Sequence, residues 1–432
     1  MSLTASSSPW VKIYALMLAV VVPMDWFTPT GELFREFGAK PGTLLLTLGG
    51  MCGLLIVMRN RTTINRLEFT VLLVFAAWLA LGFCSALLNF ILGWSDWAYF
   101  RSPIIQLITQ SLVILTCAIA VFGNARLMRT YPIAELVGKL LPLAATIHLA
   151  VFAVEALGLI EDSSGPLLLF RSDEGAIERP TGLYSEPAYF GTFAALYGTA
   201  LLFLPGKTLV RARNFVLSLL LYGAAVMIGA KTFVVVAGAQ AVLLIVSLRK
   251  TVSNVAIGVI VLATVVGCGI YFIQSLSLLD VDENLSSAMR LGSTLLAANV
   301  SADGYALSGI GIGQFHFFYQ DKFAPGFLLF SDEAMEQLSP DAPYRASTFN
   351  FFVRVLLETG VLGFVLLVVC LWKLWRAKMP PSLTWLAMLF AGSLGFLMTQ
   401  DTWFYPPLVF STAAMLAVLG NDHPLSNVTS RL

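Results

Sequence analysis

Twelve apolar runs of roughly 16–25 residues follow one another along this chain, each long enough to cross about 30 Å of hydrocarbon as a helix. They fall at about 10–27, 42–58, 67–92, 104–122, 136–160, 187–204, 214–229, 232–248, 254–275, 348–372, 382–400 and 407–420. Barrel strands would alternate in character over about ten residues, and these runs do not. Residues 214–248 exceed a single crossing, and Gly229-Ala230-Lys231-Thr232 offers a tight turn that divides them. Only 12% of the chain is charged and 58% is hydrophobic, whereas soluble domains carry about 25% charged residues. A soluble protein of this kind would expose large apolar patches, which lipid covers instead. The sequence therefore predicts an all-α, polytopic integral membrane protein of about twelve transmembrane helices, a single membrane domain over residues 1–432.

The net charge of +1 says little, but its distribution sets an orientation. One set of connecting loops holds Arg59, Arg61 and Arg66, then Arg126, Arg129 and Lys139, then Lys207, Arg211 and Arg213, then Arg249 and Lys250, and last Lys373, Arg376 and Lys378. The other set is acidic or mixed, with Asp25, Glu32 and Glu36, a cluster from Glu161 to Glu178, and a stretch from Asp280 to Asp341. The positive-inside rule places the first set, and with it both termini, in the cytoplasm. The first apolar run is too long, and too poorly followed by small residues, for a cleaved signal peptide. The five cysteines all sit in apolar runs without metal-ligand spacing or an even-numbered disulfide framework, and read as small buried hydrophobes. No basic block or low-complexity tail points to nucleic acid, and the absence of repeated halves weighs against a transporter.

Two outer loops exceed what a connection needs, 161–186 and 276–347. The second is rich in Leu and Phe, so short amphipathic helices near the outer interface are expected there. The outer side also carries basic residues that orientation does not explain: Arg35, Lys40, Arg101, Arg171, Arg179, Lys231, Arg290, Lys322 and Arg345. A guanidinium presents a planar fork of donors that matches phosphate oxygens, so such a cluster suits an anionic, lipid-linked ligand. The competing account is exposed pairing with Asp173, Glu174 or Glu178, worth little energetically.

The segment Arg179-Pro180-Thr181-Gly182-Leu183-Tyr184-Ser185-Glu186-Pro187 is the most informative locally. Gly182 permits a turn, Pro187 suits a first helical turn, and Glu186 then lies at a positive helix end. A helix start with its cap explains these residues alone. A functional reading adds that Arg179, Tyr184 and Glu186 converge at the outer mouth of the bundle. Within the membrane, Arg354 and Glu358 share a helical face at a spacing that allows pairing. His148 and Glu155, seven apart, also share one. Gly309-Ile310-Gly311-Ile312-Gly313 is only superficially a phosphate loop, since the strand–helix context is missing.

Four stretches together resemble the bacterial O-antigen ligase/polymerase superfamily. They are Arg179-Pro-Thr-Gly182 through Glu186-Pro187, Gly229-Ala-Lys231-Thr232, Ser287-Ala-Met-Arg290 followed by Ser308 to Phe315, and Asn350 through Glu358 to Gly363. They cover residues 179–363 in family order. The resemblance implies a fold like the type C membrane glycosyltransferases, with a large helical periplasmic loop, in the bacterial inner membrane. It implies a glycan donor on undecaprenyl pyrophosphate, a second glycan as acceptor, and inverting transfer without a metal. Arg179 and Arg290 then stabilise the departing pyrophosphate, with Arg171, Tyr184, Lys231, Arg345 and Arg354 as further binding residues. Members of the ligase branch have a His before the Asn that opens the fourth stretch, and here that residue is Phe349. The polymerase branch is therefore favoured, with Glu186 and His316 as candidates for the base. A chain-length regulator and a flippase are the partners implied. The alternatives are a ligase, with His316 as substitute base, and a polysaccharide transporter or flippase.

Overall fold

The computed structural model describes residues 8–27, 40–60, 64–91, 102–159, 180–247, 297, 299–315, 317, 347–376 and 379–419. Eleven α-helices lie among these residues: α1 (Pro9–Val21), α2 (Pro41–Asn60), α3 (Arg66–Ile91), α4 (Pro103–Thr130), α5 (Ile133–Ala156), α6 (Pro187–Leu202), α7 (Thr208–Met227), α8 (Lys231–Ser247), α9 (Phe351–Arg376), α10 (Thr384–Leu397) and α11 (Pro406–Leu419). No strand occurs among the described residues. Each helix coincides with an expected apolar run. The run at 254–275 lies outside the described residues. Helices α2, α3, α4, α5, α7 and α9 are long and apolar enough to cross a membrane, which fits a multi-pass membrane protein. Helices α1, α8, α10 and α11 are apolar but shorter.

Local sequence explains where these helices begin. Five of them open on proline, whose fixed φ and missing N–H suit the first turn. Helix α3 has a reciprocal cap instead: Glu68 N donates to Asn65 Oδ1 (2.8 Å) and Asn65 N donates to Glu68 Oε2 (2.9 Å).

Apolar side chains cover much of the outside of the bundle as well as its core, and several polar ones lie inside. Met51, Leu55, Phe69, Leu73, Ile105, Phe215, Leu219 and Trp372 are exposed, while Gln106, Gln110, Asn124, Gln240 and Ser393 are buried. With lipid outside there is little hydrophobic force between helices, so close packing and interhelical hydrogen bonds hold them. At the crossing of α2 and α4, Gly50, Gly53 and Gly123 bring the two backbones into contact. Asn124 locks that crossing, donating to Leu46 O (2.6 Å) and accepting from the Tyr14 hydroxyl (2.6 Å). Helix α6 is buried without interruption from Phe190 to Leu201, with α7, α8 and α10 packed around it. A helix apolar on every face belongs at the centre.

The described part of the second long loop packs into the helices, and the rest of it lies outside the described residues. After a π-helical turn at Ser301–Tyr305, residues 308–314 insert between α3 and α9. Helix α9 breaks at Gly360 (φ 69°), and the carbonyls near the break meet the inserted segment. Ile310 N donates to Leu357 O (2.8 Å), Gly311 N to Glu358 O (3.1 Å), and Val361 N to Ala306 O (2.7 Å). From α3, Gly82 O accepts from Ile312 N (3.3 Å) and Asn89 Nδ2 donates to Ile310 O (2.7 Å). Gly360 lies nine residues into α9, about 13 Å from its start at 1.5 Å per residue. Irregular backbone at that depth persists only where protein satisfies it, and here α3 and α9 do so.

Candidate functional site

The charged residues divide between the two ends of the bundle. At one end Glu68 of α3 pairs with Arg126 (2.7 Å) and Arg129 (2.9 Å) of α4. Arg129 also donates to Leu416 O (2.7 Å) at the close of α11. Lys373 of α9 donates to Thr70 Oγ1 of α3 (3.2 Å) at this same end. The opposite end gathers Asp25, Lys40, Glu155, Glu186, Lys231 and Asp401 on the ends of six different helices or their links.

The segment 180–186 is moulded onto this acidic end by α5 and α1. Glu155 Oε2 accepts from Thr181 N (2.9 Å) and from Gly182 N, with Gly182 at φ 64°. One turn pair lower on the same face of α5, His148 Nδ1 accepts from the Tyr184 hydroxyl (3.1 Å). His148 Nε2 lies 2.9 Å from Val20 O in α1. A carbonyl only accepts, so Nε2 carries the proton and Nδ1 takes the phenol's. The expected shared face of His148 and Glu155 is thus used, and both residues hold the loop. Asp25, just beyond α1, accepts from Ser185 N (3.2 Å) and from the Ser185 hydroxyl.

A small cleft opens beside Asp25, lined also by Lys40, Tyr189, Thr192 and Tyr405. Lys40 Nζ sits 5.7 Å from the centre of the Tyr405 ring, within cation–π range. Tyr405 stacks on Phe396 (4.4 Å), and Phe396 packs against Tyr189 (5.9 Å). Burial pushes the Asp25 carboxyl up to about 7 against the pull of its Ser185 hydrogen bonds, and nearby Glu186 adds to the rise. Burial brings the Lys40 ammonium down to about 8, while Asp25 and Asp401 pull it back up. Both groups therefore titrate near neutrality, as proton-handling groups in a site do.

The turn before α8 joins this end through Thr232, whose hydroxyl donates to Ala188 O (2.6 Å) at the start of α6. Lys231 itself is exposed, as is Glu186. Residues 347–350 join it from α9. Asp401 Oδ2 accepts from Thr348 N (2.9 Å) and the Thr348 hydroxyl (3.2 Å). Asn350 Oδ1 caps α9 by accepting from Phe352 N and Val353 N (3.0 and 3.1 Å). Between them Phe349 adopts φ 49°, the left-handed region that a bulky residue occupies only under strain.

Among the sequence-derived candidates, Glu186 and Lys231 are thus brought to one surface. Tyr184 is fully buried behind it, stacked on Phe193 (5.4 Å) and bonded to His148. Arg354 is 1% exposed and engaged on every side. It donates to Glu358 Oε1 (2.9 Å), Gln110 Oε1 (2.9 Å) and Asp401 O, and lies over the Trp403 ring (5.2 Å). The expected Arg354–Glu358 pair exists, and it ties α9 to α4 and to the α10–α11 link. Both side chains are buried and held by partners within the protein. Arg171, Arg179, Arg290, His316 and Arg345 lie outside the described residues. Sequence reading passed over Asp25 and Lys40 as a site. The signal was there, a lone acid and a lone base at the ends of consecutive apolar runs, but their meeting with Ser185 and Tyr405 is a tertiary fact. Compared with known proteins, the chain matches no protein-family model and no curated protein.

Proposed function

We propose that this chain is a polymerising membrane glycosyltransferase, joining undecaprenyl-pyrophosphate-linked oligosaccharide units at the outer face of a bacterial inner membrane. The observation that carries the reading is the meeting of three resembling stretches at one end of the bundle. Segment 180–186, the turn at Lys231 and the turn at 347–350 gather around groups of both signs and an aromatic wall. In this reading the chain crosses the membrane about twelve times with both termini cytoplasmic, so the acidic end faces outward.

The chemistry needs two things from the protein. The acceptor hydroxyl must lose a proton as it attacks the donor's anomeric carbon from the face opposite the leaving group. The C–O bond to pyrophosphate breaks, and the charge that develops there must be stabilised, often the largest catalytic term. Glu186 is exposed at the opening of α6 and serves as the base. Lys231, exposed at the opening of α8, contributes with Arg171, Arg179, Arg290 and Arg345 to the pyrophosphate clamp. Metal and cofactor have no part in this reading, and a flippase and chain-length regulator act beside it.

Deleting the gene in its host and examining surface glycan by gel tests the proposal. The deletion should leave single capped repeat units, restored to long polymer by wild type. Arg179→Ala should fail to restore it, and Glu186→Gln should lower polymer yield by about 100-fold or more. Full-length glycan retained on its lipid carrier would identify a ligase instead. Normal polymer from both variants would remove the assigned roles.

A further inference from the structure

The basic end of the bundle holds a cavity of about 380 Å³, outside everything used above. The start of α5, the α6–α7 link, the first turns of α7 and the link into α10 enclose it. Its walls are largely apolar, with Pro142, Leu204, Val210 and Trp385 among them. Exposed Leu143, Leu209, Phe215 and Val216 flank it on α5 and α7, so its mouth continues into the apolar surface of the bundle. Among the described residues, the charged groups that line it are Lys139, Arg213 and Glu135.

Asn214 supplies the decisive detail. Its side chain is 1% exposed and lines the cavity. Arg213 Nε and Nη2 both donate to Asn214 Oδ1 (3.3 and 3.1 Å). The guanidinium has only donors, which fixes the amide with its oxygen toward Arg213. That leaves Asn214 Nδ2 as a buried donor with no hydrogen-bond partner. An unmet buried donor is costly unless a ligand or water supplies an acceptor. The site thus offers an amide donor, an anchored guanidinium and an ammonium above an apolar slot.

We infer that this cavity binds an anionic glycerophospholipid, its phosphate held by Arg213, Asn214 and Lys139 and an acyl chain lying along the apolar wall. Among the described lining residues, two cations against Glu135 give net +1 (2 − 1), which favours an anionic headgroup over a zwitterionic one. Basic pockets between helices are suited to such headgroups. The inference stands whether or not the chain is a glycosyltransferase.

Native mass spectrometry on the purified full chain, titrated with dioleoylphosphatidylglycerol or dioleoylphosphatidylethanolamine, tests it. Wild type should retain the glycerol lipid in preference to the ethanolamine lipid. The double variant Lys139→Ala/Arg213→Ala should lose affinity for it by roughly thirtyfold, at about fivefold per cation. Arg211→Ala, which removes a neighbouring charge outside the cavity, should leave it unchanged. Glu135→Gln should raise it, and Val210→Trp should abolish it by filling the slot, two arms that hold even where the double variant folds poorly. Equal retention of the two lipids, or unchanged retention in the Val210→Trp and double variants, would overturn the inference. So would displacement of the lipid by millimolar inorganic phosphate alone, or by undecaprenyl phosphate at equal concentration.

Discussion

At the scale of residues, Asp25 shows how a lone charge at the end of an apolar run is accommodated. Its carboxyl is buried against Ser185 and raised from 3.8 to about 7. A carboxyl whose folded value is raised holds its proton more tightly than in the unfolded chain. The stability it contributes is complete below the unfolded value and is lost as pH rises toward 7. Lys40 runs the other way: with its ammonium lowered to about 8, its contribution is complete above about 10.5 and is lost as pH falls through 8. Asn at position 25 still accepts from Ser185 N but has no proton to lose. Wild type should therefore lose thermal stability relative to Asp25→Asn between about pH 4 and 7, by a few degrees in melting midpoint. Parallel melting curves for the two across that range would show that the carboxyl is not held as described. Some residue pairs were legible from spacing alone. Arg354–Glu358 lies four apart, and His148 and Glu155 share a face of one helix. Asp25 and Ser185 meet across 160 positions of chain, and no local pattern encodes that.

At the scale of elements, apolar run length located the described helices, because length and composition decide whether a backbone can satisfy itself in lipid. The broken α9 and the segment inserted against it were not legible in the same way. Alternate glycines at 309, 311 and 313 equally suit a loop around a phosphate and a backbone pressed against other backbones. Only the fold distinguishes them. A Cβ on Gly311 would stand 2.6–2.7 Å from Ala86 side chain and backbone, with φ at 103° besides. Gly304 has φ 111° and nothing within 4 Å, so it carries the backbone strain without the collision. Gly304→Ala should then cost about 1–3 kcal/mol. Gly311→Ala should cost that and about 1–3 kcal/mol more for overpacking against α3. Thermal unfolding in detergent reads the difference. Equal midpoints for the two variants would mean that the inserted segment does not press on α3.

At the scale of the whole molecule, the two ends of the bundle differ in kind, and the orientation proposed above rests on this difference. The basic end is cross-tied by ion pairs and hydrogen bonds to carbonyls, with Glu68 bracketed by Arg126 and Arg129. The acidic end is tied by carboxylates that accept from backbone amides: Glu155 from Thr181 and Gly182, Asp25 from Ser185, Asp401 from Thr348. At the acidic end carboxylates take up amides of non-helical segments, whereas at the basic end Arg129 takes up the Leu416 carbonyl where α11 closes. Where a chain of this kind crosses a membrane, the end rich in Lys and Arg stays in the cytoplasm. Single cysteines at exposed positions measure this directly. Glu186→Cys and Lys231→Cys should react with a membrane-impermeant maleimide added to intact spheroplasts. Lys207→Cys and Arg211→Cys should react only after permeabilisation. Replacing all five native cysteines beforehand keeps the background low. Labelling of Glu186→Cys and Lys207→Cys from the same side would mean that α6 does not cross the membrane, and the outward-facing site would fall with it.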